Sequence, residues 1–430
     1  MARIVEEASQ IAGQVKLADV VRDEAYGSSQ IGPFDYCPKL GFREYWYPAI
    51  WAKEVGSKPI KRTLFGEEIA FFHKKDGGVA ALADWCPHRG ARFSRGFCEF
   101  PGTVTCPYHG YTFDETGQCV AGLVESDDSS LAPKLRARHY PTAEWGGIVF
   151  IWPGITTPVS LEEDLPHEFS DPTLTGRRFT RVKTWEANWT EPVNQGIDTH
   201  GLYLHRGVSI WRLMHKKMLF FRKAAIQTGP VKVVKESEDS VNVRFGAVKY
   251  GQSTYKNVGK WPRHRWWRIL PQAKGAGGGT REVSDPAKQW ATHDHNLEMP
   301  SKVRIPTGTH VHLRWGVPVD DMHTVMWTFN IFKKPKNIFH SAYQHIYYYM
   351  WRKPATVISV NEKEDLVVFT GERLNYELPQ KLGIADTGVI YFRRHLAKAS
   401  RDFQRLGGAF GCYKQQPDPE KVAQWTKGRK

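Results

Sequence analysis

Two five-residue segments, Cys86-Pro87-His88-Arg89-Gly90 and Cys106-Pro107-Tyr108-His109-Gly110, constrain this chain more than any other feature. They set out two thiols and two imidazoles as C-x-H and C-x-x-H, one of each kind per segment. That donor set suits a [2Fe–2S] cluster with two thiolates on one iron and two neutral imidazoles on the other, an arrangement that raises the reduction potential. The seventeen residues between His88 and Cys106 predict a strand, a turn and a return strand, so that two loops meet tip to tip around the cluster. Gly90 and Gly110 fit such loops, because glycine enters tight turns and permits close backbone approach.

A structural zinc site with two cysteines and two histidines would use the same atoms in a tetrahedral shell. Zinc modules usually open with two cysteines and close with two histidines, whereas here each loop carries one of each, and the order favours the cluster. On these paired segments the chain resembles the Rieske non-heme iron oxygenases, in particular the catalytic (alpha) subunits of aromatic ring-hydroxylating oxygenases. The resemblance is strongest early in the chain. Lys39-Leu40-Gly41-Phe42-Arg43 and Trp46-Tyr47-Pro48 are similar to the branch acting on aromatic and heteroaromatic rings.

At 430 residues the chain exceeds one average domain. A cluster-bearing β module needs roughly 100 residues, so most of the chain must serve another purpose than holding iron and sulfur. Short runs with Gly and Pro punctuation precede the cluster loops, at Val79 to Asp84 and Thr103 to Thr105. Gly146 to Gly154 reads as a strand ended by a turn. Beyond Ser160 the pattern predicts strands at Arg177 to Thr184, within Val231 to Phe245, and at His310 to Trp315 and Thr324 to Phe332. Helices are expected from Asn188 to Leu204, His340 to Arg352 and Val360 to Arg373, with a helical tail from Tyr391 to Phe403. Gly275 to Gly279 lacks a phosphate-loop context and reads as a surface loop.

The expected fold class is α+β. A small antiparallel β Rieske domain (41–155) follows an N-terminal entry segment (1–40) and precedes a larger catalytic domain (156–430), an antiparallel sheet packed by helices in the helix-grip manner.

Within Glu191 to His205, His200 and His205 stand five apart beside Asn194 and Asp198. In a regular α-helix a separation of five leaves two side chains about 140° apart, so the helix must end or widen there if both are to bind one metal. A 2-His-1-carboxylate triad leaves open positions on Fe(II) for oxygen. Glu362, Glu364 and Asp365 are the late acidic candidates. The family resemblance, with its late acidic ligand opening an apolar helical run, favours Asp365. It also implies an acid bridging cluster and iron three residues before the first histidine; Ile197 holds that place here, and Asp198 lies two before. Asn194 matches a polar residue near the iron in relatives.

The resemblance further implies a terminal oxygenase whose electrons come from NAD(P)H through a separate reductase, with or without a ferredoxin. The cluster at Cys86, His88, Cys106 and His109 would pass them to iron at His200, His205 and Asp365. There O2 is activated to hydroxylate, dihydroxylate or oxidatively demethylate an aromatic or heteroaromatic substrate. A homotrimer is implied as well, with electrons crossing between neighbouring subunits. The reading from a different class is a non-catalytic Rieske electron-transfer or redox-sensing protein.

A formal charge of +15 raises nucleic acid as a partner, most of all at Lys260 to Arg268, where basic and aromatic residues interleave. No nucleic-acid-binding signature accompanies it, and electrostatic steering of an acidic redox partner or a carboxylate-bearing substrate accounts for the same charge. Met1 to Tyr26 lacks the apolar core of a signal peptide, and no stretch reaches the ~18 apolar residues of a spanning helix. Cys37, Cys98, Cys119 and Cys412 are scattered without framework spacing. A cytoplasmic protein is expected, without membrane or nucleic-acid partners. Aromatic residues make up 13% of the chain, enough to line an apolar pocket; Trp211, Leu213, Phe220 and Trp315 are candidates.

Overall fold

The computed structural model describes residues 37–126, 130–198, 231–235, 237–245, 295–306, 309–370, 382 and 386–402. The entry segment up to residue 36, His200, His205, Trp211, Leu213, Phe220, the stretch from Lys260 to Arg268, the loop from Gly275 to Gly279 and Cys412 lie outside the described residues. Two compact units form: Cys37–Phe169 with Gly316–Trp327 and the segment from Ser400 in one, Ser170–Trp315 with Thr328–Ala399 in the other.

The unit that carries the cluster loops is built of ten short strands: β1 (Tyr47–Trp51), β2 (Ile60–Leu64), β3 (Glu67–His73), β4 (Val79–Ala83), β5 (Thr103–Thr105), β6 (Tyr111–Asp114), β7 (Cys119–Gly122), β8 (His139–Tyr140), β9 (Thr142–Trp145) and β10 (Ile148–Ile151). They form antiparallel sheets in the orders β1-β10-β9, β2-β3-β4-β8 and β5-β6-β7. Gly146 and Gly147, both at positive φ, make the two-residue turn between β9 and β10, whose flanking pair is Trp145 and Ile148. The type I′ form of such a turn needs positive φ at both central positions. The strand expected at Gly146 to Gly154 therefore begins after its glycines.

Between His88 and Cys106 the expected strand-turn-strand is replaced by a 3-10 turn at Phe93–Arg95 and by β5, with Phe97 and Thr105 forming an isolated bridge. Gly96 permits this close return: a Cβ there would meet the Thr105 carbonyl oxygen at 2.1 Å. The interior comprises Phe72, Leu82, Phe93, Val104, Tyr111 and Phe113, together with the cluster cysteines Cys86 and Cys106.

The other unit holds most of a seven-stranded sheet formed by β11 (Arg178–Trp185), β12 (Val231–Lys235), β13 (Ser240–Phe245), β14 (His295–Glu298), β15 (Lys302–Pro306), β16 (His310–Pro318) and β17 (Thr324–Phe332), in the order β11-β17-β16-β15-β14-β13-β12. Side chains alternate between its faces. One face carries His295, Leu297, Val303, Ile305, His312 and Arg314, as the β14–β15–β16 register shows. The helices pack on that face. α1 (Thr190–Ile197) lies so near that a Cβ on Gly196 would meet Val303 Cγ1 at 2.5 Å. α2 (Ile338–Tyr347) continues in the wider π winding through Tyr348–Asp365 and returns to α at Leu366–Phe369. It crosses the face by stacking Tyr348 on Phe179, ring centroids 3.9 Å apart. The antiparallel sheet packed by helices on one side is the α+β, helix-grip arrangement expected from sequence.

Two helix expectations are corrected. α1 stops at Ile197 and Asp198 is already extended, with ψ at 173°, where a helix running on to Leu204 was expected. Gly196 weakens the last turn, and the Ile197 carbonyl is pressed against Gly388, where a Cβ would meet it at 2.3 Å. The two helices expected at His340 to Arg352 and from Val360 are one continuous element, because the π winding carries the chain past Pro354, where regular α geometry would clash.

Candidate functional site

The two cluster loops share one backbone design. In the first, the Cys86 N–H donates to the Ala91 carbonyl (2.8 Å) and the Gly90 N–H to the Cys86 carbonyl (2.8 Å). In the second, Cys106 donates to Tyr111 (2.8 Å) and Gly110 to Cys106 (3.1 Å). Gly90 (φ 76°) and Gly110 (φ 67°) close both turns in the left-handed region, which costs L side chains about 1–2 kcal/mol. The histidine is the third residue of the first loop and the fourth of the second.

This design separates the donors by kind. The thiols are buried, Cys86 at 1% and Cys106 at 2% exposure. A hydrogen bond between them pushes the Cys86 thiol up and holds the Cys106 thiol down. The imidazoles lie farther out, half-buried, with the His88 and His109 ring centroids 4.8 Å apart. Nδ1 of His109 is buried and makes no hydrogen bond, and an orphaned ring nitrogen suits a metal ligand. Among the described residues no three His, Cys, Asp or Glu converge as ligands of a single ion, whereas a zinc site would need all four donors on one point. A sulfur pair inside and a nitrogen pair outside fit a two-iron cluster.

Tyr108 lies against His109 (3.8 Å, 31°) and under the Arg89 guanidinium (5.2 Å). Tyr111 packs edge-on to His88 at 4.9 Å and donates its hydroxyl to Glu125. Behind the loops, buried Asp84 accepts from the Ser94 N–H and hydroxyl, both at 2.6 Å, and fixes the 3-10 turn.

The sheet face that bears the helices also bears on three further expected residues. Asn194 and Asp198 lie on and just beyond α1, and Asp365 ends the π segment with 2% exposure. Arg314 on β16 links these elements. It donates to Gln195 of α1 at 2.9 Å, and Asp365 acts on its charge. His295 on β14 meets the Gly196 carbonyl through Nδ1 at 2.5 Å. Asn194 donates to Glu191 at 3.5 Å, while its buried Oδ1 makes no hydrogen bond. Glu191 in turn lies 4.0 Å from Arg393. The two candidate histidines, and the side chains of Glu362 and Glu364, are outside the described residues.

The family model of the Rieske [2Fe-2S] domain matches residues 45–127. This part of the chain is a Rieske domain. The terminal oxygenase component of carbazole 1,9a-dioxygenase from Metapseudomonas resinovorans is 31% identical over 170 residues, 39% of this chain and 44% of that protein. The oxygenase component of dicamba O-demethylase from Stenotrophomonas maltophilia is 39% identical over 112 residues, 26% of this chain and 32% of its own length. The chain thus spans less than half the length of these curated relatives. The solved terminal oxygenase of carbazole 1,9a-dioxygenase from Nocardioides aromaticivorans superposes with a TM-score of 0.63 over 86% of this chain and 97% of that one, at 21% identity. The reduced oxygenase–ferredoxin complex of carbazole 1,9a-dioxygenase gives 0.62 over 88% and 94%, at 20% identity. The likeness of fold therefore extends well past the Rieske domain.

Sequence reasoning missed Gln195, His295, Arg314, Asn330 and Arg352, which crowd the helix-covered face. Burial, then the positive charge of Arg352, hold the His310 and His312 imidazoles well below the ordinary histidine range, and Arg314 adds to this at His312. Burial pushes Arg352 down to about 10. The available signal was the alternation in His310-Val311-His312-Leu313-Arg314. Polar residues at every second strand position read as a solvated face, and here that face is covered. Trp315, a candidate pocket residue, is fully buried on the opposite face, under the Lys302 ammonium at 5.1 Å.

Proposed function

We propose that this chain is the terminal oxygenase component of a multicomponent system that hydroxylates, dihydroxylates or oxidatively demethylates an aromatic or heteroaromatic substrate. The observation that carries the reading is the placement of buried Asp365 on the sheet face that holds α1. α1 leads within three residues to His200, in a chain that also contains a Rieske domain. In this reading Cys86, Cys106, His88 and His109 hold the cluster, and the half-buried imidazole edge receives the electrons. His200, His205 and Asp365 hold a mononuclear Fe(II), which when bound supplies open positions for O2.

The surrounding residues keep that site in order. Arg314 offers Asp365 a fixed positive neighbour and ties it to α1 through Gln195, which orients the carboxylate. α1 ends at Ile197, three residues before His200, and Asp198 is extended. Asp198, partly exposed at the helix end, is the acid best placed in sequence to hydrogen-bond a ligand imidazole. Asn194 keeps a buried, unpaired amide oxygen for the same region.

Electrons would come from NAD(P)H through a separate reductase and a ferredoxin, and the working form would be a homotrimer. The names of the relatives, oxygenase components among them one solved with its ferredoxin, support the ferredoxin. Among the described residues no helix is long and apolar enough to cross a membrane, and the described cysteines are free thiols; a cytoplasmic location is in keeping with both. The test is metal analysis of the intact protein with an electron count. Three irons per chain, two of them in the cluster, are expected. Two irons in a fully cluster-loaded sample would leave only an electron carrier.

A further inference from the structure

Asn330 of β17 lies on the helix-covered face with 0% exposure, and its neighbours determine which way its amide points. Arg352 Nε, which can only donate, meets Oδ1 at 3.3 Å. His312 Nδ1 meets the same oxygen at 3.0 Å, so the imidazole is the Nδ1–H tautomer and it too donates. Oδ1 is thereby committed to two donors, and the amide cannot be flipped without losing both. The Nδ2 group faces away from them, buried and without a hydrogen-bond partner. A buried donor that has given up water and found no acceptor is costly, and natural proteins rarely keep one without a use.

The surroundings define the missing acceptor. The Arg352 guanidinium lies against Asn330, and Arg314 shares the sheet face of His312. Arg314 Nε is a second buried donor without a partner. His312 and Arg314 are two positions apart on one face of β16, a step of about 7 Å, and Arg314 is the neighbour of Asp365. Two buried orphaned donors beside guanidinium groups, one short step from the proposed iron ligand, suit an anionic acceptor on a small molecule.

We infer that Asn330 Nδ2 is the hydrogen-bond donor of a substrate subsite for a carboxylate, and that the substrate is an aromatic carboxylic acid. The inference rests on the oxygenase reading of the same face and specifies its substrate class. The carboxylate would accept from Asn330, with the Arg352 and Arg314 guanidinium groups nearby to offset its charge, and the ring would lie nearer Asp365.

Calorimetric titration of the protein loaded with cluster and iron, using benzoate, benzamide and toluene as probes, tests this. Benzoate should bind at least about tenfold more tightly than toluene, with benzamide between them. Asn330→Asp keeps an oxygen for His312 and Arg352 and puts a second where Nδ2 stood. It should abolish the benzoate preference while leaving toluene affinity and the cluster's visible spectrum unchanged. Equal affinity of the native protein for benzoate and toluene overturns the inference, whether or not the variant folds. So does a variant that weakens both ligands alike. Iron analysis of the same samples separates the two readings. A benzoate preference in protein that takes up only two irons removes the oxygenase and keeps the subsite, whereas three irons without the preference does the opposite.

Discussion

The His88 and His109 imidazoles stand 4.8 Å apart, centroid to centroid, on two loops with the same backbone hydrogen bonds. Neither ring owes its place to the other's sequence position, since one is third and the other fourth in its loop. The shared loop geometry, closed in each case by a glycine at positive φ, brings them together. Replacing His88 by Ala should therefore remove the cluster's visible absorption and its reduced-state EPR signal. Iron should fall from three per chain to about one. A cluster that survives the change would move the ligand elsewhere.

His200→Ala should have the reverse effect. Turnover is expected to stop and iron to fall to about two per chain, while the cluster's colour and EPR signal persist. Loss of both signals would mean that the two centres are not separate.

Glu67 ties three elements of the cluster-bearing unit together. It accepts from Arg43 at 2.5 Å, from Arg138 at 2.9 and 3.0 Å, and from the Tyr140 hydroxyl. Burial alone would raise its carboxyl, but the two guanidinium groups outweigh burial and hold it at about 2, against an ordinary 4.5. A carboxyl lowered on folding stabilises fully above about pH 4.5 and loses that contribution as the pH falls toward 2, a linkage worth about 3 kcal/mol. Glu67→Gln should lower stability at pH 7 by about that amount and flatten the dependence of the urea midpoint on pH between 5 and 3. An unchanged slope would show that the network does not carry the acid sensitivity.

Gly196→Ala asks how tightly α1 is seated. The new Cβ would lie 2.5 Å from Val303 Cγ1 and 3.1 Å from Arg314, an overpacking that costs about 1–3 kcal/mol. Mononuclear iron content should drop while the cluster spectrum stays intact. Full iron occupancy in the variant would show that α1 has room to shift without disturbing the ligands.

Arg314→Met tests the link between α1 and Asp365. Removal of the buried guanidinium leaves a buried carboxylate without its positive neighbour, a loss on the order of 3 kcal/mol. The thermal midpoint should fall, and it should recover in part in Arg314→Met/Asp365→Asn, which is expected to lack the second iron. No recovery would mean that the two charges are not coupled.

The cluster site was legible because its chemistry is local. Four ligands in two short segments, each closed by a glycine, carry their spacing in the sequence itself. The strand before each loop, Val79–Ala83 and Thr103–Thr105, could be read in the same way. Between the loops the reading failed, since the return past Gly96 depends on the Thr105 carbonyl, a contact that no local pattern announces. The same limit hid the merging of two helices at Pro354, which breaks an α-helix but is accommodated in the π winding.

By itself the sequence determined the donor set of the cluster, the strand content around it and the acidic residues available late in the chain, because these depend on residue type and short spacing. Only the tertiary structure decided which face of the large sheet is covered and which late residues meet there. His295, Arg314, Asn330 and Asp365 belong to four different elements of the chain. Their common environment arises because helices bury one side of the sheet and remove water from polar groups that an isolated strand would leave exposed.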